Sequence, residues 1–270
     1  MKEIIELYKP DLLYSDGSLP FGEHWHYSDG GSRNDSEYQW GLEAVAYLYN
    51  ISIGQHGENR AIYTQKDRTI EVCSVGIADI EKSQLPGINP RVWQTDTCIG
   101  NWFYDAKQDY KKPGHIIEIL IDVASKNGTM LLNILQRPDG SLDDEAVYIL
   151  EELAKWFALC SEGIYNTRPW RAYGEGDTQA LIDGFKEEKT TWKSADYRFT
   201  HKGNTLYAFV LKPADNRVAI IKSLTEADRV KSVRLLGGSS LPFSQAYGTL
   251  TVKLPEVLPT KYTNCIAIEF

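Results

Sequence analysis

Apolar positions in the first 172 residues switch between helical spacing and short unbroken runs. Lys2 to Lys9 carries a brief helical pattern, and the run Leu12-Leu13-Tyr14 then ends in Ser15-Asp16 and breaks at Gly17. So short and apolar a run predicts a strand buried in a parallel sheet, with Asp16 at its C-terminal tip. A polar, Gly-rich loop covers 18–36. Leu42, Val45, Ala46 and Tyr49 then predict one face of a helix over about 37–53. Extended stretches follow over 61–65, 69–75 and 92–99, and Ala78 to Lys82 reads as irregular. Pro113 opens a helix that turns Ile116, Ile117, Leu120, Ile121 and Ala124 inward until Asn127-Gly128 stops it. Met130 to Leu135 is a further strand, and Asp143-Asp144 gives a negative first turn to a helix ending near Cys160.

Beyond Trp170 the pattern changes to short β runs over 197–200, 206–211, 218–221, 230–236, 250–252 and 265–270, with Gly, Asn, Asp and Pro in the gaps. Strands alternating with helices predict a parallel sheet, and the later runs predict an antiparallel sandwich. The expected fold class is therefore α/β, a partial (β/α)8-type barrel followed by an antiparallel β-sandwich. Residues 1–172 are expected to form the C-terminal part of a catalytic barrel and 173–270 the sandwich, with Gly174-Glu175-Gly176-Asp177 as the link. The Asp16 strand comes early for a barrel, since one short helix alone precedes it. The chain is thus expected to be the second part of a larger catalytic unit.

Composition narrows the partners. A net charge of -8 over 270 residues disfavours nucleic acid, whose phosphates want a basic surface. No apolar run approaches the roughly 20 residues that span a bilayer, so no membrane partner is expected. Seven Trp and 16 Tyr supply flat apolar faces with polar edges, which suit sugar rings and ordinary cores alike. Cys73, Cys98, Cys160 and Cys265 lie too far apart for a zinc spacing and read as free, mostly buried thiols. His24 and His26 share the loop after the Asp16 strand without companions for a metal site.

Two carboxylates stand out. Asp16, on a rigid strand tip, could attack an electrophilic carbon, yet Asp-Gly is also a common turn dipeptide. Glu81, 65 residues later, could serve as the second acid of a glycoside hydrolase, with Asp79 its rival; on pattern alone it reads as a loop residue paired with Lys82. In Trp93 to Trp102, polar residues cluster along a strand that ends in an aromatic. There Gln94 or Asp96 could orient a loop or hydroxyl, and Trp102 could stack on a sugar.

The motifs P-D-L-L-Y-S-D-G, A-D-I-E-K, W-Q-T-D-T-C-I-G-N-W-F-Y-D, L-I-D-V-A-S-K-N-G-T-M-L-L-N-I-L-Q-R-P-D-G-S-L and I-Y-N-T-R-P-W, in this order, resemble the family 29 glycoside hydrolases, the retaining α-L-fucosidases. That resemblance covers most of residues 1–172. It implies Asp16 as nucleophile, Glu81 as general acid/base, and Tyr14 and Trp102 as aromatics that contact the sugar; Arg60 is a looser match to a sugar-contacting arginine. It implies hydrolysis of a fucosylated glycan or fucoside with no metal or organic cofactor. It also implies early barrel strands with a histidine pair, supplied by a second chain or a homo-oligomer if not by this one. The competing expectation is an inactive sugar-binding or structural fragment.

Overall fold

The computed structural model describes residues 1–17, 35–66, 70–180 and 190–270, without the side chains of 35–38 and 70–72. The chain divides into two compact units, Met1–Glu81 with Arg91–Gln94, and Lys82–Pro90 with Thr95–Phe270.

The first unit contains α1 (Lys2–Tyr8), β1 (Leu12–Tyr14), α2 (Asp35–His56), β2 (Ile62–Gln65), α3 (Ile70–Val75), β3 (Ile77–Asp79) and the first two residues of β4 (Trp93–Cys98). Strands β1, β2 and β3 pair in parallel in sequence order. Tyr14 lies opposite Thr64, Gln65 opposite Ala78 and Asp79 opposite Gln94. Ile5, Val45, Leu48, Ala61 and Tyr63 form the core, so α1 and α2 bury their faces with β2. Helix α2 turns Ala44, Val45 and Leu48 inward but leaves Ala46 exposed, contrary to the expected face. The buried stripe steps through 41, 44, 45, 48 and 52, and 46 lies off it. Residues 70–75 are helical where an extended stretch was expected. A parallel pair such as β2 and β3 needs a crossover, and that requirement overrides the local strand preference of Ile70 and Val72.

The second unit holds the rest of β4, α4 (Pro113–Ser125), β5 (Gly128–Asn133), α5 (Asp144–Cys160) and eight described antiparallel strands. Helix α4 begins at Pro113 and ends where Asn127 adopts φ 70, as its sequence signals require. Asp143 caps α5 by accepting the Ala146 N–H at 2.8 Å. The antiparallel strands are β6 (Arg168–Glu175), β7 (Tyr197–Lys202), β8 (Thr205–Val210), β9 (Val218–Ile221), β10 (Ser232–Leu235), β11 (Phe243–Ala246), β12 (Thr249–Lys253) and β13 (Asn264–Glu269). They form a five-stranded sheet, β10-β13-β8-β7-β6, and a three-stranded sheet, β11-β12-β9. Phe199, Val210, Ile221, Val233, Leu250 and Ile266 fill the core to which both sheets contribute, the layered arrangement of a sandwich. A second core joins α4 and α5 to the five-stranded sheet through Ile117, Ile121, Trp156, Phe209 and Cys265.

The parallel strands follow the order β1-β2-β3-β4-β5, which together with the antiparallel sheets matches the expected partial barrel and sandwich. Every residue of β4 is buried, as a strand covered on both faces requires. All four cysteines are free thiols, three of them buried. Among the described residues no helix is long and apolar enough to cross a membrane.

Candidate functional site

Parallel strands present their C-terminal ends on one side, and three consecutive strands of the first unit end in ionisable side chains. Asp16 lies two residues beyond β1, Lys66 one residue beyond β2 and Glu81 two residues beyond β3. Side chains alternate along a strand, so Tyr14 shares a face with Asp16, Thr64 with Lys66, and Asp79 with Glu81. The register sets Tyr14 opposite Thr64, and two further residues bring Asp16 opposite Lys66. Backbone bonds carry the pairing past the formal strand ends: Ser15 N–H donates to Thr64 O at 2.9 Å and Lys66 N–H to Gly17 O at 2.6 Å. Gly17 makes that bend at φ 140, where a side chain would be strained.

Lys66 joins the two carboxylates. Its Nζ lies 2.8 Å from Asp16 Oδ1 and 2.5 Å from Glu81 Oε2. The two oxygens are therefore no further apart than the sum of those contacts, about 5.3 Å. The Lys66 side chain is 13% exposed and that of Glu81 21%, whereas the Asp16 side chain is 74% exposed. One ammonium thus holds two carboxyl groups at close range, its charge partly sheltered from water.

The rest of the cluster braces Asp16. Tyr14 Oη donates to Asp79 Oδ2 at 3.0 Å and also lies 3.4 Å from Asp16 Oδ1. Asp79 is buried, and its other oxygen accepts from Gln94 Nε2 at 3.2 Å. Both Asp79 oxygens are thus engaged in orienting neighbours. Ile80 N–H donates to Gln94 O at 2.8 Å, which guides the chain along β4 as it reaches Glu81. Glu81 is not the solvated partner of Lys82 that its pattern suggests. Lys82 turns at φ 43, and in the second unit its Nζ sits 4.9 Å from the Trp102 ring centre.

Asp16, Glu81 and Tyr14 therefore converge in the first unit. Trp102 belongs to the second unit, half-buried, with its carbonyl accepting from Asn133 Nδ2 at 3.2 Å. Asp96 is also in that unit and buried. Trp93 is fully buried and packs as a core residue. Arg60 precedes β2, at the end opposite Lys66, and its guanidinium pairs with Glu58 at 2.9 Å. That placement removes it from the carboxylate cluster. His24 and His26 lie outside the described residues. Among the described residues no three His, Cys, Asp or Glu side chains group as metal ligands.

Sequence reasoning missed Lys66. The signal was present: a lysine directly after the strand 62–65, the position at which the neighbouring strands deliver Asp16 and Glu81.

The chain matches two family models. The one described as Alpha-L-fucosidase covers residues 1–162, and the Alpha-L-fucosidase C-terminal domain covers 188–269. Tissue alpha-L-fucosidase of Mus musculus is 27% identical over 269 residues, spanning 96% of this chain and 52% of that protein. Among solved structures, alpha-L-fucosidase isoenzyme 1 from Paenibacillus thiaminolyticus superposes with a TM-score of 0.73 at 22% identity, covering 99% of this chain and 60% of the other. The Thermotoga maritima alpha-fucosidase in complex with fucose gives 0.71 at 21%, covering 99% and 54%. The chain spans about half the length of the curated relatives it matches. With the first family model alone matching more than half of its residues, the chain belongs to the alpha-L-fucosidase family.

Proposed function

We propose that this chain carries the catalytic carboxylates of a retaining exo-α-L-fucosidase. One observation above all supports that reading: Lys66 holds oxygens of Asp16 and Glu81 within about 5.3 Å of each other. Retaining glycosidases need their two carboxyl groups about 5–5.5 Å apart, whereas inverting ones leave about 6.5–9.5 Å for a water. In the first displacement Asp16 attacks the anomeric carbon of an α-L-fucoside while Glu81 gives its proton to the departing glycosidic oxygen. An ester between Asp16 and fucose results. In the second, Glu81 takes a proton from water, that water attacks the same carbon, and the Asp16 carboxylate leaves. Tyr14 orients Asp16 through its hydroxyl, and Tyr14 and Trp102 serve as the sugar-contacting aromatics. Lys66 is a positioning residue that acts through both carboxylates. No step of this scheme calls on a metal or organic cofactor.

The substrate is a fucosylated glycan or simpler fucoside. The remaining barrel strands come from the rest of a longer protein, from a second chain or from a homo-oligomer. Residues 1–172 and 173–270 serve as the barrel part and the sandwich domain. The exposure of Asp16 favours a second reading, in which the isolated chain is an inactive sugar-binding or structural fragment.

The test is Asp16→Gly assayed on an aryl α-L-fucoside. Turnover is lost, and added azide partly restores it by entering the space the carboxylate vacates, giving the inverted fucosyl azide. Unchanged hydrolysis by Asp16→Gly would remove Asp16 from the chemistry.

A further inference from the structure

The second unit contains a cavity of about 650 Å³, bounded by the start of α4, the segment 211–217 and the segment 258–264. That volume falls in the range of small-molecule sites. Its lining reverses the charge of the chain. Lys112, Lys212, Arg217 and Lys261 face one carboxylate, Glu118, although the chain as a whole carries -8.

Two of these cations are committed elsewhere. Lys261 Nζ pairs with Glu152 at 2.6 Å, and hydrogen bonds from Lys155, Lys261 and Tyr262 hold the Glu152 carboxyl down to about 2. Lys112 lies 4.0 Å from Glu145, a loose and exposed pair. Lys212 and Arg217 differ. Among the described residues neither side chain makes a hydrogen bond or ion pair, although both line the same cavity. Glu118 forms no ion pair with either of them, and its Oε2 lies 4.0 Å from His115 Nδ1 on its own helix.

The walls are built in advance. Asn264, buried, donates through Nδ2 to Thr260 O at 3.0 Å and to Tyr262 O at 2.9 Å, and Tyr262 N–H donates to Thr260 Oγ1 at 3.1 Å. These bonds fix the 260–264 segment. The Tyr262 ring approaches Gly114 so closely that a Cβ there would meet it at 3.2 Å. The site therefore combines a fixed aromatic wall, two uncommitted cations and more room than an inorganic oxyanion fills. Helix α4 adds its positive end, because its N-cap Lys112 supplies no side-chain acceptor.

We infer that this cavity is a second ligand site, distinct from the carboxylate cluster of the first unit, that binds an anionic saccharide. The carboxylate or sulfate ester of the sugar meets Lys212 and Arg217, and its ring lies against Tyr262. The saccharide half of this inference rests on the fucosidase reading; the anionic half rests on the cavity alone.

Calorimetric titration of the whole 270-residue chain tests it without any reference to hydrolysis, so its outcome is separate from that of Asp16→Gly. The probes are a sulfated lactose disaccharide, its neutral desulfated counterpart and inorganic sulfate. The sulfated disaccharide binds at least tenfold more tightly than either of the others, and added salt weakens it. Lys212→Ala with Arg217→Gln lowers its affinity by tenfold or more at an unchanged thermal midpoint, while Lys107→Ala, outside the cavity, leaves it intact. Should the double variant lose its fold, Lys212→Glu, at an exposed position, gives the same loss alone. Sulfate binding as tightly as the sulfated sugar means an adventitious ion only and overturns the saccharide assignment. Equal binding of the desulfated sugar overturns the anionic one. An unaffected, folded double variant overturns the site.

Discussion

At the residue scale, Lys66 determines how close two carboxylates can stand. Without it, nothing bridges the Asp16 and Glu81 oxygens that it holds within about 5.3 Å, and their spacing is no longer fixed. Lys66→Met is therefore expected to lower kcat/KM on an aryl α-L-fucoside about 10- to 100-fold, the range that corresponds to about 1.5–3 kcal/mol for a lost charge-assisted hydrogen bond. The loss falls on kcat more than on KM. Lys66→Arg, which keeps the charge, restores most of it, whereas a residue of purely structural importance would show no such rescue. Steady-state kinetics of both variants checks this, and an unchanged kcat in Lys66→Met would end the role. Sequence pattern revealed this site unevenly. A carboxylate on a strand tip has a physical signature, so Asp16 was legible from the residues themselves. Glu81 was not: alone it looks like a loop residue beside Lys82, and only the resemblance of the surrounding motifs marked it. Lys66 escaped both routes, because a lysine after a strand is ordinary until the register of β1 and β2 sets it opposite Asp16.

At the element scale, helix α4 is fastened to the sandwich sheet by a buried charge cluster. Asp122 on α4 accepts from Arg198 Nε on β7 at 2.5 Å and from Lys126 Nζ at 2.6 Å, and all three side chains are at most 1% exposed. Burial pushes the Lys126 ammonium below its usual range, and Asp122 opposes that shift. Arg198 also stacks against Trp192 and Tyr173, with its guanidinium carbon 4.8 and 5.2 Å from their ring centres. Removing Asp122 takes from two buried cations the anion they share, a change that costs about 3–5 kcal/mol where one partner of a buried pair is deleted. Asp122→Ala is expected to lose stability of that size in urea unfolding. The triple variant Asp122→Leu, Lys126→Met, Arg198→Met recovers most of it, because apolar groups of similar volume need no partner. A loss below about 1 kcal/mol in Asp122→Ala would show that the cluster contributes little. Elements with strong end signals, such as α4 after Pro113 and α5 after Asp143, were legible in sequence. The elements that were missed have weak ones. Strand β6 contains Pro169 and Gly174 and shifts register between them; β11 is four residues with little burial; β3 is three residues long. Tertiary pairing, which no local window contains, makes strands of these segments and a helix of 70–75.

At the scale of the whole molecule, the first unit presents features that a parallel barrel normally covers. Among the described residues β1 pairs with β2 alone, which leaves its other edge open. Parallel strands are ordinarily covered on both faces and both edges, since an open edge invites unwanted pairing. Helix α1 buries only Ile5 and exposes Ile4, Leu7 and Tyr8, and Leu12 of β1 is exposed as well. The Asp16 side chain, mostly exposed, lies at that same edge strand, where a sugar site needs walls that exclude water. On the proposed reading, strands equivalent to those in the half of the relatives that this chain does not match complete both the edge and the site. The chain assayed alone on an aryl α-L-fucoside is therefore expected to turn over at least a hundredfold more slowly than the same chain mixed with a polypeptide carrying those strands. The complemented mixture should lose its activity again on Asp16→Gly or Glu81→Gln. Size-exclusion chromatography of the mixture separates a true complex from coincidental activity of the added piece. If the two polypeptides associate stably and hydrolysis still does not appear, the carboxylate pair is not a working catalyst, and the sugar-binding or structural reading takes its place.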